Sequence, residues 1–361
     1  MPFQGNGRYD KPQNRKPMSR LVQGDVGSGK TAVAAALCYS VIKNGVQAAL
    51  MAPTEILAQQ HHASISNILK DTGISVGLLT GSVTPAKKRK LLEQLQDGSI
   101  KMVIGTHALI SETVAFQNLG LVITDEQHRF GVAQRSLLAE KGNHPHMLVM
   151  SATPIPRTLA LIIYGDLDIS VLDELPPGRQ TIETYAISSR KRARAYNIPY
   201  PSGCRTTGVV EESTNDMASV VQYANALQTE TFPDKVIGIL HGKMKPKEKD
   251  TVMTAFAKGE IDVLVSTTVV EVGVDVPNAV IILIENAERY GLSQLHQLRG
   301  RVGRGTMKST CILVSDAQNE EAVARLKILC STSDGFRIAD EDLRLRGRET
   351  FSEKSNMVCR I

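Results

Sequence analysis

The sequence predicts an α/β fold made of two tandem domains, each with a parallel sheet. Short apolar runs rich in Val, Ile and Leu recur along the chain, and helical patterns separate many of them, as expected for buried parallel strands. The runs form two series, and a Pro-Pro-Gly stretch within residues 174–179 separates the series as a linker. Polar residues follow nearly every run directly. In an open parallel sheet such positions lie at the strand carboxyl ends, where ligands bind.

The predicted strands can be placed in order along the chain. The first series opens with a short strand at 20–23 and continues with runs at 46–52, 101–104, 119–124 and 147–150. The second series consists of runs at 235–240, 261–266, 279–284 and 309–314. If each series forms one parallel sheet, the two polar edges face each other across the linker. We therefore expect an interdomain cleft.

Length and composition exclude several classes of protein. The chain has 361 residues, of which 42% are hydrophobic, so it is long and apolar enough for two packed domains. No run reaches the roughly 18 to 20 apolar residues of a membrane span, and we expect a cytoplasmic protein without membrane contact. The five cysteines contain no CxxC pair, which favours incidental thiols over a metal site. The net charge of +5 permits a polyanionic partner without requiring one.

The clearest functional motif follows the first predicted strand. It has the form GxxxxGK[ST] between a strand and a helix, which is the context that a phosphate-binding loop requires. Its backbone N–H groups and the helix N-terminus would bind phosphates, its lysine would reach the β and γ phosphates, and its threonine would bind Mg²⁺. This context favours nucleotide binding over a glycine-rich turn. The motif comprises Gly24, Asp25, Val26, Gly27, Ser28, Gly29, Lys30 and Thr31.

An acidic pair emerges from the predicted strand at 119–124. Asp125 is suited to hold Mg²⁺ through water, and Glu126 to orient and deprotonate an attacking water. An acidic strand end on its own is more often a solvated loop or a helix cap, but the upstream phosphate loop makes catalysis the better interpretation. His128 is interpreted as a coupling or polar contact near the nucleotide, because no other His or Cys stands at metal-ligand spacing.

Two arginines close the set of residues with catalytic chemistry. Arg301 and Arg304 are three residues apart, on one face if the segment is helical. Arginines presented by a second domain can act as arginine fingers on a γ-phosphate. The alternative is a basic, glycine-rich surface turn.

Seven motifs in order resemble the second superfamily of helicases. They are GDVGSGKT at 24–31, APTE at 52–55, GTH at 105–107, DEQH at 125–128, SAT at 151–153, TTVVEVGVD at 267–275 and QLRGRVGR at 297–304. More narrowly, APTEILAQQH, DEQHRFGV, SATPIPRTLA, DELPPGR, HGKMKP and EVGVDVPNA resemble the RecG family, bacterial ATP-dependent DNA helicases that remodel branched DNA. The nearest alternative family is the transcription-repair coupling translocase, whose acidic motif is usually DEEH. A non-enzyme alternative is an inert nucleotide- or DNA-binding remnant of a damaged gene.

The resemblance implies two RecA-like domains, with ATP and Mg²⁺ in the cleft and branched DNA across both domains. DNA contacts of this kind go mainly to the backbone. The implied catalytic residues are Lys30, Asp125, Glu126, Gln297, Arg301 and Arg304, and Mg²⁺ would be held by Thr31 and Asp125. Gly273 and Asp275 would join the phosphate loop near ATP. The implied coupling residues are Gln127, His128, Ser151 and Thr153. The implied DNA contacts are Pro53, Thr54, Glu55, Thr80, Gly81, Ser82, Gly105, Thr106, His107, Thr267 and Thr268.

The resemblance also implies domain boundaries, a bacterial cytoplasmic location at the nucleoid, and a monomeric motor. Residues 1–17 are a leader outside the family pattern, 18–175 the ATP-binding domain, 176–196 the linker and domain start, and 197–210 a departing segment. Residues 211–320 are the helicase C-terminal domain, 321–347 the start of a translocation hairpin, and 348–361 a departing tail. The family's N-terminal wedge domain and adenine-contacting LTxxQ segment are not found in the sequence, so we expect weakened adenine recognition and fork specificity.

The departing segments suggest frameshifts. Back-translation of residues 348–361 with a one-base shift gives GDFFGEKQHGLPD, which matches the family pattern, and similar shifts near residues 5–9 and 203–209 give family-like sequence. The middle segment contains two prolines and two glycines within 198–208, a composition that disfavours a central strand. We therefore expect the second sheet to lose one strand.

Overall fold

Two parallel sheets flanked by helices form the chain, as the sequence predicts. The computed structural model describes residues 17–125, 137–151, 167–174, 180–196, 205–209, 217–267, 279–303 and 307–345. The leader and the tail with their proposed frameshifts lie outside these residues, apart from residue 17.

The first sheet has seven parallel strands. Its strands are β1 (Ser19–Gly24), β2 (Gln47–Met51), β3 (Val76–Leu79), β4 (Met102–Gly105), β5 (Leu119–Thr124), β6 (His146–Ser151) and β7 (Asp168–Leu172). Their order across the sheet is β3-β4-β2-β5-β6-β1-β7. Every residue of β2 and β4 is buried, because helices cover both faces of a parallel sheet. These strands are apolar except for Gln47, whose amide donates to the carbonyl oxygens of Leu95 and Ile100. The five strands predicted for this domain are thus confirmed.

Among the described residues of the first domain, three long helices connect consecutive strands. They are α1 (Lys30–Lys43), α2 (Glu55–Leu69) and α3 (Pro85–Gln96). The Thr54 hydroxyl caps α2 by accepting a hydrogen bond from the backbone of Leu57. Pro85 starts α3, at the position where its missing N–H has no intrahelical partner. Each of these helices therefore begins shortly after the carboxyl end of a strand.

The second sheet has six parallel strands. Its strands are β8 (Ile182–Ile187), β9 (Arg205–Val209), β10 (Ile237–Leu240), β11 (Val263–Ser266), β12 (Ala279–Ile284) and β13 (Ser309–Val314), in the order β10-β11-β9-β12-β13-β8. The associated helices are α4 (Arg192–Tyr196), α5 (Met217–Ala226), α6 (Pro246–Lys258), α7 (Leu292–Arg299) and α8 (Glu320–Ser331). Leu326 and Leu329 of α8 and Ile338 of the following helical segment pack into the core of this domain.

The expected loss of a strand from the second sheet is wrong. β9 forms at Arg205–Val209 and pairs with β11 on one side and β12 on the other, so it lies in the centre of the sheet. The prolines that argued against a strand, Pro199 and Pro201, precede it. The strand sequence RTTGV contains β-branched residues and a single glycine, so its backbone donors and acceptors remain able to pair on both sides.

The described cysteines are free thiols, two of them buried and one exposed. Cys38 and Cys311 are fully buried, and burial raises the pKa of each thiol to about 12. Cys330 is exposed, and these three cysteines are unpaired. Within the described ranges, every helix falls short of the length and apolarity that crossing a membrane would need.

We expect Gly105→Ala to lower the free energy of unfolding by about 1–3 kcal/mol, through overpacking. A Cβ at this position would lie 2.3 Å from the carbonyl oxygen of Leu79, so β3 and β4 would have to separate. Urea denaturation would measure the effect. The matched control is Gly77→Ala in the neighbouring strand. There the atoms nearest the new Cβ all belong to side chains: the flexible end of Leu91 at 2.6 Å and Ile100 at 3.5 Å. Equal losses in the two variants would contradict this explanation.

Candidate functional site

The predicted site segments of the first domain line the carboxyl edge of its sheet in two groups. Residues 80–82, 105–107 and 53–55 follow or end the three neighbouring strands β3, β4 and β2. Asp125, Ser151 and the phosphate loop follow or end the next three strands, β5, β6 and β1. The residues implied in DNA contact therefore occupy one half of the edge, and those implied in nucleotide chemistry occupy the other.

The phosphate loop has the backbone geometry that its glycines allow. Gly27 and Gly29 adopt positive φ values of 78° and 94°, which residues with a Cβ rarely adopt. Lys30 Nζ donates hydrogen bonds to the carbonyl oxygens of Gly24 and Asp25, each at 2.8 Å. The first turn of α1 contains no acidic residue, and no described side chain caps it. These N-terminal amides, with Lys30, form a site suited to an anion.

Asp125 lies at the end of β5, with 7% of its surface exposed. Its Oδ2 accepts a hydrogen bond of 2.6 Å from Nε2 of His61, which is also 7% exposed. Its backbone N–H donates to the carbonyl of Met51, which fixes the turn beside β2. Asp125 is thus held from two sides, its carboxylate by α2 and its backbone by the sheet.

The oxygen donors at this edge fit a magnesium ion by their chemistry. Mg²⁺ prefers oxygen ligands and is commonly bound by one or two protein groups together with phosphates and water. Thr31, in the first turn of α1, supplies a hydroxyl, and Asp125 supplies a carboxylate. Among the described residues no group of three or more His, Cys, Asp or Glu side chains could hold a metal on its own.

Ser151 ends β6 and is buried directly beside the strand that leads into the phosphate loop. Its Cα is in register with that of Gln23 on β1. Gln23 is fully buried, and neither polar atom of its amide has a hydrogen-bond partner among the described residues. Sequence reasoning did not single out Gln23, since a polar residue inside a short strand carries no pattern of its own.

The three segments of the other half-edge contact one another. The backbone N–H of Thr106 donates to the carbonyl of Leu79, at the end of β3. A Cβ on Gly81 would lie 2.8 Å from Oε1 of Glu55, so this glycine packs against the start of α2. Thr80 and Thr106 are only 3% and 2% exposed. The exposed residues of the segments 80–82 and 105–107 are Gly81, Ser82 and His107. These residues present most of the solvent-accessible atoms of the two segments.

Several predicted site residues of the second domain are half-buried or buried. Gln297 lies on α7 and Arg301 in the turn after it, and both are half-buried, while Thr267 at the end of β11 is 1% exposed. The remaining predicted residues lie outside the described part of the chain. They are Glu126, Gln127, His128, Thr153, Thr268, Gly273, Asp275 and Arg304.

A chain of hydrogen bonds joins the phosphate loop to the second domain. Asp25 Oδ1 accepts from its neighbour's backbone N–H and, at 2.8 Å, from Nε2 of His296 on α7. Nδ1 of His296 accepts a hydrogen bond of 2.8 Å from Arg299, which assigns the ring proton to Nε2. Arg299 also donates to the carbonyl oxygens of Leu329 and Thr332 at the end of α8. The phosphate loop, α7 and α8 are therefore connected.

Sequence reasoning missed both His296 and Arg299. They are 5% and 2% exposed, and burial lowers the pKa of the Arg299 guanidinium although the nearby Asp25 carboxylate opposes this shift. The one sequence signal was their spacing of three residues, which places both side chains on the same face of a helix as the buried leucines. Gly300 adds a packing contact, since a Cβ there would lie 3.2 Å from the side chain of Val26 in the phosphate loop.

The N-terminal parts of α2 and α6, one from each domain, also carry carboxylates that influence each other. Asp250 lies in the first half of α6, and its pKa is raised, first by burial and then by the negative charge of Glu55 at the start of α2. The two carboxylates are thus near enough to interact. The edge that carries residues 53–55 and 80–82 therefore has the second domain beside it.

Comparison with known proteins supports this geometry. The family described as DEAD/DEAH box helicase matches residues 13–162, and the helicase conserved C-terminal domain matches residues 206–306. ATP-dependent DNA helicase RecG of Synechocystis is 51% identical over 342 residues, covering 93% of this chain and 41% of that protein. RecG of Bacillus subtilis is 49% identical over 352 residues, covering 93% of this chain and 50% of that protein. Over 93% of its length the chain is thus similar to RecG helicases of superfamily 2.

Solved structures agree with that similarity. A structure of RecG bound to a three-way DNA junction has a TM-score of 0.78 and 46% identity, and the match covers 91% of this chain and 44% of that one. Yeast Dbp5 bound to RNA and ADP-BeF3 has a TM-score of 0.64 at 17% identity, a likeness of fold alone. The two-domain helicase fold expected from the sequence is therefore confirmed. The chain spans about half or less of the length of the RecG relatives it matches.

The contact between Asp25 and His296 predicts a measurable energetic coupling. We expect the double variant Asp25→Ala/His296→Ala to depart from additivity by about 0.5–3 kcal/mol in its affinity for a fluorescent ATP analogue, because the pair shares one hydrogen bond. Ser293→Ala combined with Asp25→Ala is the control, since Ser293 lies on the same helix and donates to Asp342 instead. Additive losses in both pairs would show that Asp25 and His296 act independently.

Proposed function

We propose that this chain is the ATP-driven DNA motor of a RecG-type helicase. In this proposal ATP hydrolysis is coupled to remodelling of branched DNA, by fork reversal and branch migration, in recombination and repair. The observation that carries the proposal is the division of the first sheet's carboxyl edge into a nucleotide half on β5, β6 and β1 and a second half on β3, β4 and β2. One sheet can thereby bind two ligands, and a movement caused by one reaches the other.

In the nucleotide half, the proposed roles follow from the donors that are present. The amides of the phosphate loop and of the α1 N-terminus would bind phosphate oxygens, and Lys30 would exchange its loop carbonyl acceptors for the β and γ phosphates. Thr31 and Asp125 would hold Mg²⁺, which when bound supplies charge neutralisation on the phosphates. Glu126 is proposed as the base that takes a proton from the attacking water.

The second domain is proposed to complete this half of the site. Gln297, Arg301 and Arg304 follow or lie on α7, the same helix whose His296 contacts Asp25. The packing of Gly300 against Val26 supports the idea that this segment reaches the phosphate loop. Arg301 and Arg304 would stabilise the negative charge that develops during phosphoryl transfer.

In the other half, the segments 53–55, 80–82 and 105–107 are proposed to bind DNA, with residues 267–268 approaching from the second domain. Backbone amides and small polar side chains of this kind contact phosphates without reading base sequence. We therefore propose salt-dependent binding with little sequence preference. Branched DNA is proposed as the substrate because the related RecG structure contains a three-way junction. The motor is proposed to act as a monomer in the bacterial cytoplasm, bound to the nucleoid through DNA.

The test is steady-state ATP hydrolysis by the purified chain, with and without branched DNA. We expect hydrolysis that DNA stimulates, and we expect Lys30→Ala to reduce kcat at least about 100-fold, because Lys30 would no longer stabilise the transferring phosphoryl group. Lys43→Ala is the matched control. Lys43 lies in the last turn of the same helix, over the Tyr39 ring at 5.4 Å, away from the loop.

The alternatives predict different results, the remnant in this assay and the coupling translocase in a separate RNA polymerase displacement assay. An inert remnant would bind the ATP analogue without turnover in a folded sample. A transcription-repair coupling translocase would require RNA polymerase for displacement activity. Turnover that DNA does not change, or that survives Lys30→Ala, would contradict the proposed motor.

A further inference from the structure

The buried face of α2 contains one polar side chain, His61, which ends the APTEILAQQH segment and has no role among the site residues named above. The buried residues of this helix are Ala58, His61, Ile65 and Leu69, spaced three or four apart, which is the pattern of a core-facing stripe. An imidazole in such a stripe is destabilising unless its polar atoms are hydrogen-bonded. His61 meets this requirement through the carboxylate of Asp125.

The chemistry of the carboxylate determines the direction of this hydrogen bond, since an ionised carboxylate can only accept. Oδ2 of Asp125 accepts, so Nε2 of His61 carries the proton and donates across 2.6 Å. Both groups are almost fully buried, where water competes little for the donor and the acceptor. The contact therefore restricts the rotation of the Asp125 carboxyl group.

The same helix reaches the other half of the sheet edge. Thr54 caps α2 and Glu55 opens it, and both belong to the surface proposed to bind DNA. His61 lies less than two turns further along the helix. Because a short helix moves as a rigid body, a displacement of its N-terminus also displaces His61. The Asp125 carboxylate, which is hydrogen-bonded to His61, would then move with it.

We propose that His61 is a positioning residue for the Asp125 carboxylate and that α2 thereby links the DNA-binding half of the edge to the magnesium site. This inference rests on the proposed function, in which Asp125 holds Mg²⁺. Groups that hydrogen-bond to a metal-binding carboxylate orient it, and their loss commonly reduces metal affinity or activity by about 10–100-fold. His61 occupies that role by its contact, without touching substrate itself.

The variants separate the hydrogen bond from the packing. His61→Leu fills a similar volume and removes the donor. His61→Asn keeps an amide donor on a side chain too short to reach, and His61→Gln places an amide N–H near the original Nε2. The matched control is His62→Leu, since the neighbouring His62 also uses Nε2 as a donor, at 3.0 Å to the carbonyl oxygen of Val76 in β3.

The measurement is the affinity of the full chain for a fluorescent ATP analogue, titrated with Mg²⁺ and repeated in EDTA. We expect the Mg²⁺ concentration at half-maximal effect to rise about 10–100-fold in His61→Leu and His61→Asn. The affinity in EDTA should stay unchanged, because the phosphate loop is intact. His61→Gln should recover most of the loss, and His62→Leu should behave as the wild-type chain.

A second titration tests the link to DNA. Branched DNA should lower the Mg²⁺ concentration required by the wild-type chain and by His62→Leu, and it should have little effect in His61→Leu or His61→Asn. A DNA effect that persists in both His61 variants would overturn the proposed role of α2.

The remaining outcomes distinguish this inference from the proposed function. If the wild-type chain shows a Mg²⁺-dependent affinity and the His61 variants match it, Asp125 positioning by His61 is wrong while the motor proposal stands. If the variants lose affinity equally in EDTA, His61 only supports the fold. If the wild-type chain shows no Mg²⁺-dependent nucleotide binding, both proposals fail. Should His61→Leu not fold, the comparison of His61→Asn with His61→Gln still decides the question.

Discussion

Parallel strand pairing is the constraint on which the rest of this structure depends. Because all strands of a sheet run the same way, every chain segment that leaves a strand carboxyl end arrives at one edge. Parallel pairing also requires a crossover helix after most strands, and helices on both faces bury the sheet completely. The same arrangement that produces the apolar strand pattern thus gathers the polar segments. Function at this edge follows from the packing of the layers.

Strand positions and the phosphate loop could be predicted because their signals are local. Apolar runs marked β2, β4, β5, β12 and β13, and the glycine pattern marked the loop before α1. β9 could not be predicted, because its five residues follow prolines and contain none of Ile, Leu or Phe. Its place between β11 and β12 comes from its neighbours, which offer pairing partners on both sides. Here tertiary context overrides local composition.

The residues that connect the two domains lay beyond sequence reasoning for a different reason. Asp25 and His296 are 271 positions apart, and neither carries a pattern that names the other. Arg299 could not be predicted as a buried residue, because an arginine in a glycine- and arginine-rich stretch suggests an exposed cation. In the structure it is buried, and backbone carbonyls of α8 surround part of its guanidinium. Such partners are backbone atoms, which any residue would supply, so the sequence contains no trace of them.

Arg299 also determines how the chain can be divided. A guanidinium that is 2% exposed needs its hydrogen-bond acceptors, and two of them belong to Leu329 and Thr332. A fragment that ended at residue 306, where the helicase C-terminal match stops, would retain this cation and lose those acceptors. It would also lack β13, together with the apolar side chains that α8 adds to the core. A fragment of the second domain that keeps both acceptors therefore extends past α8 to at least Thr332, and expression of shorter fragments should yield aggregated protein.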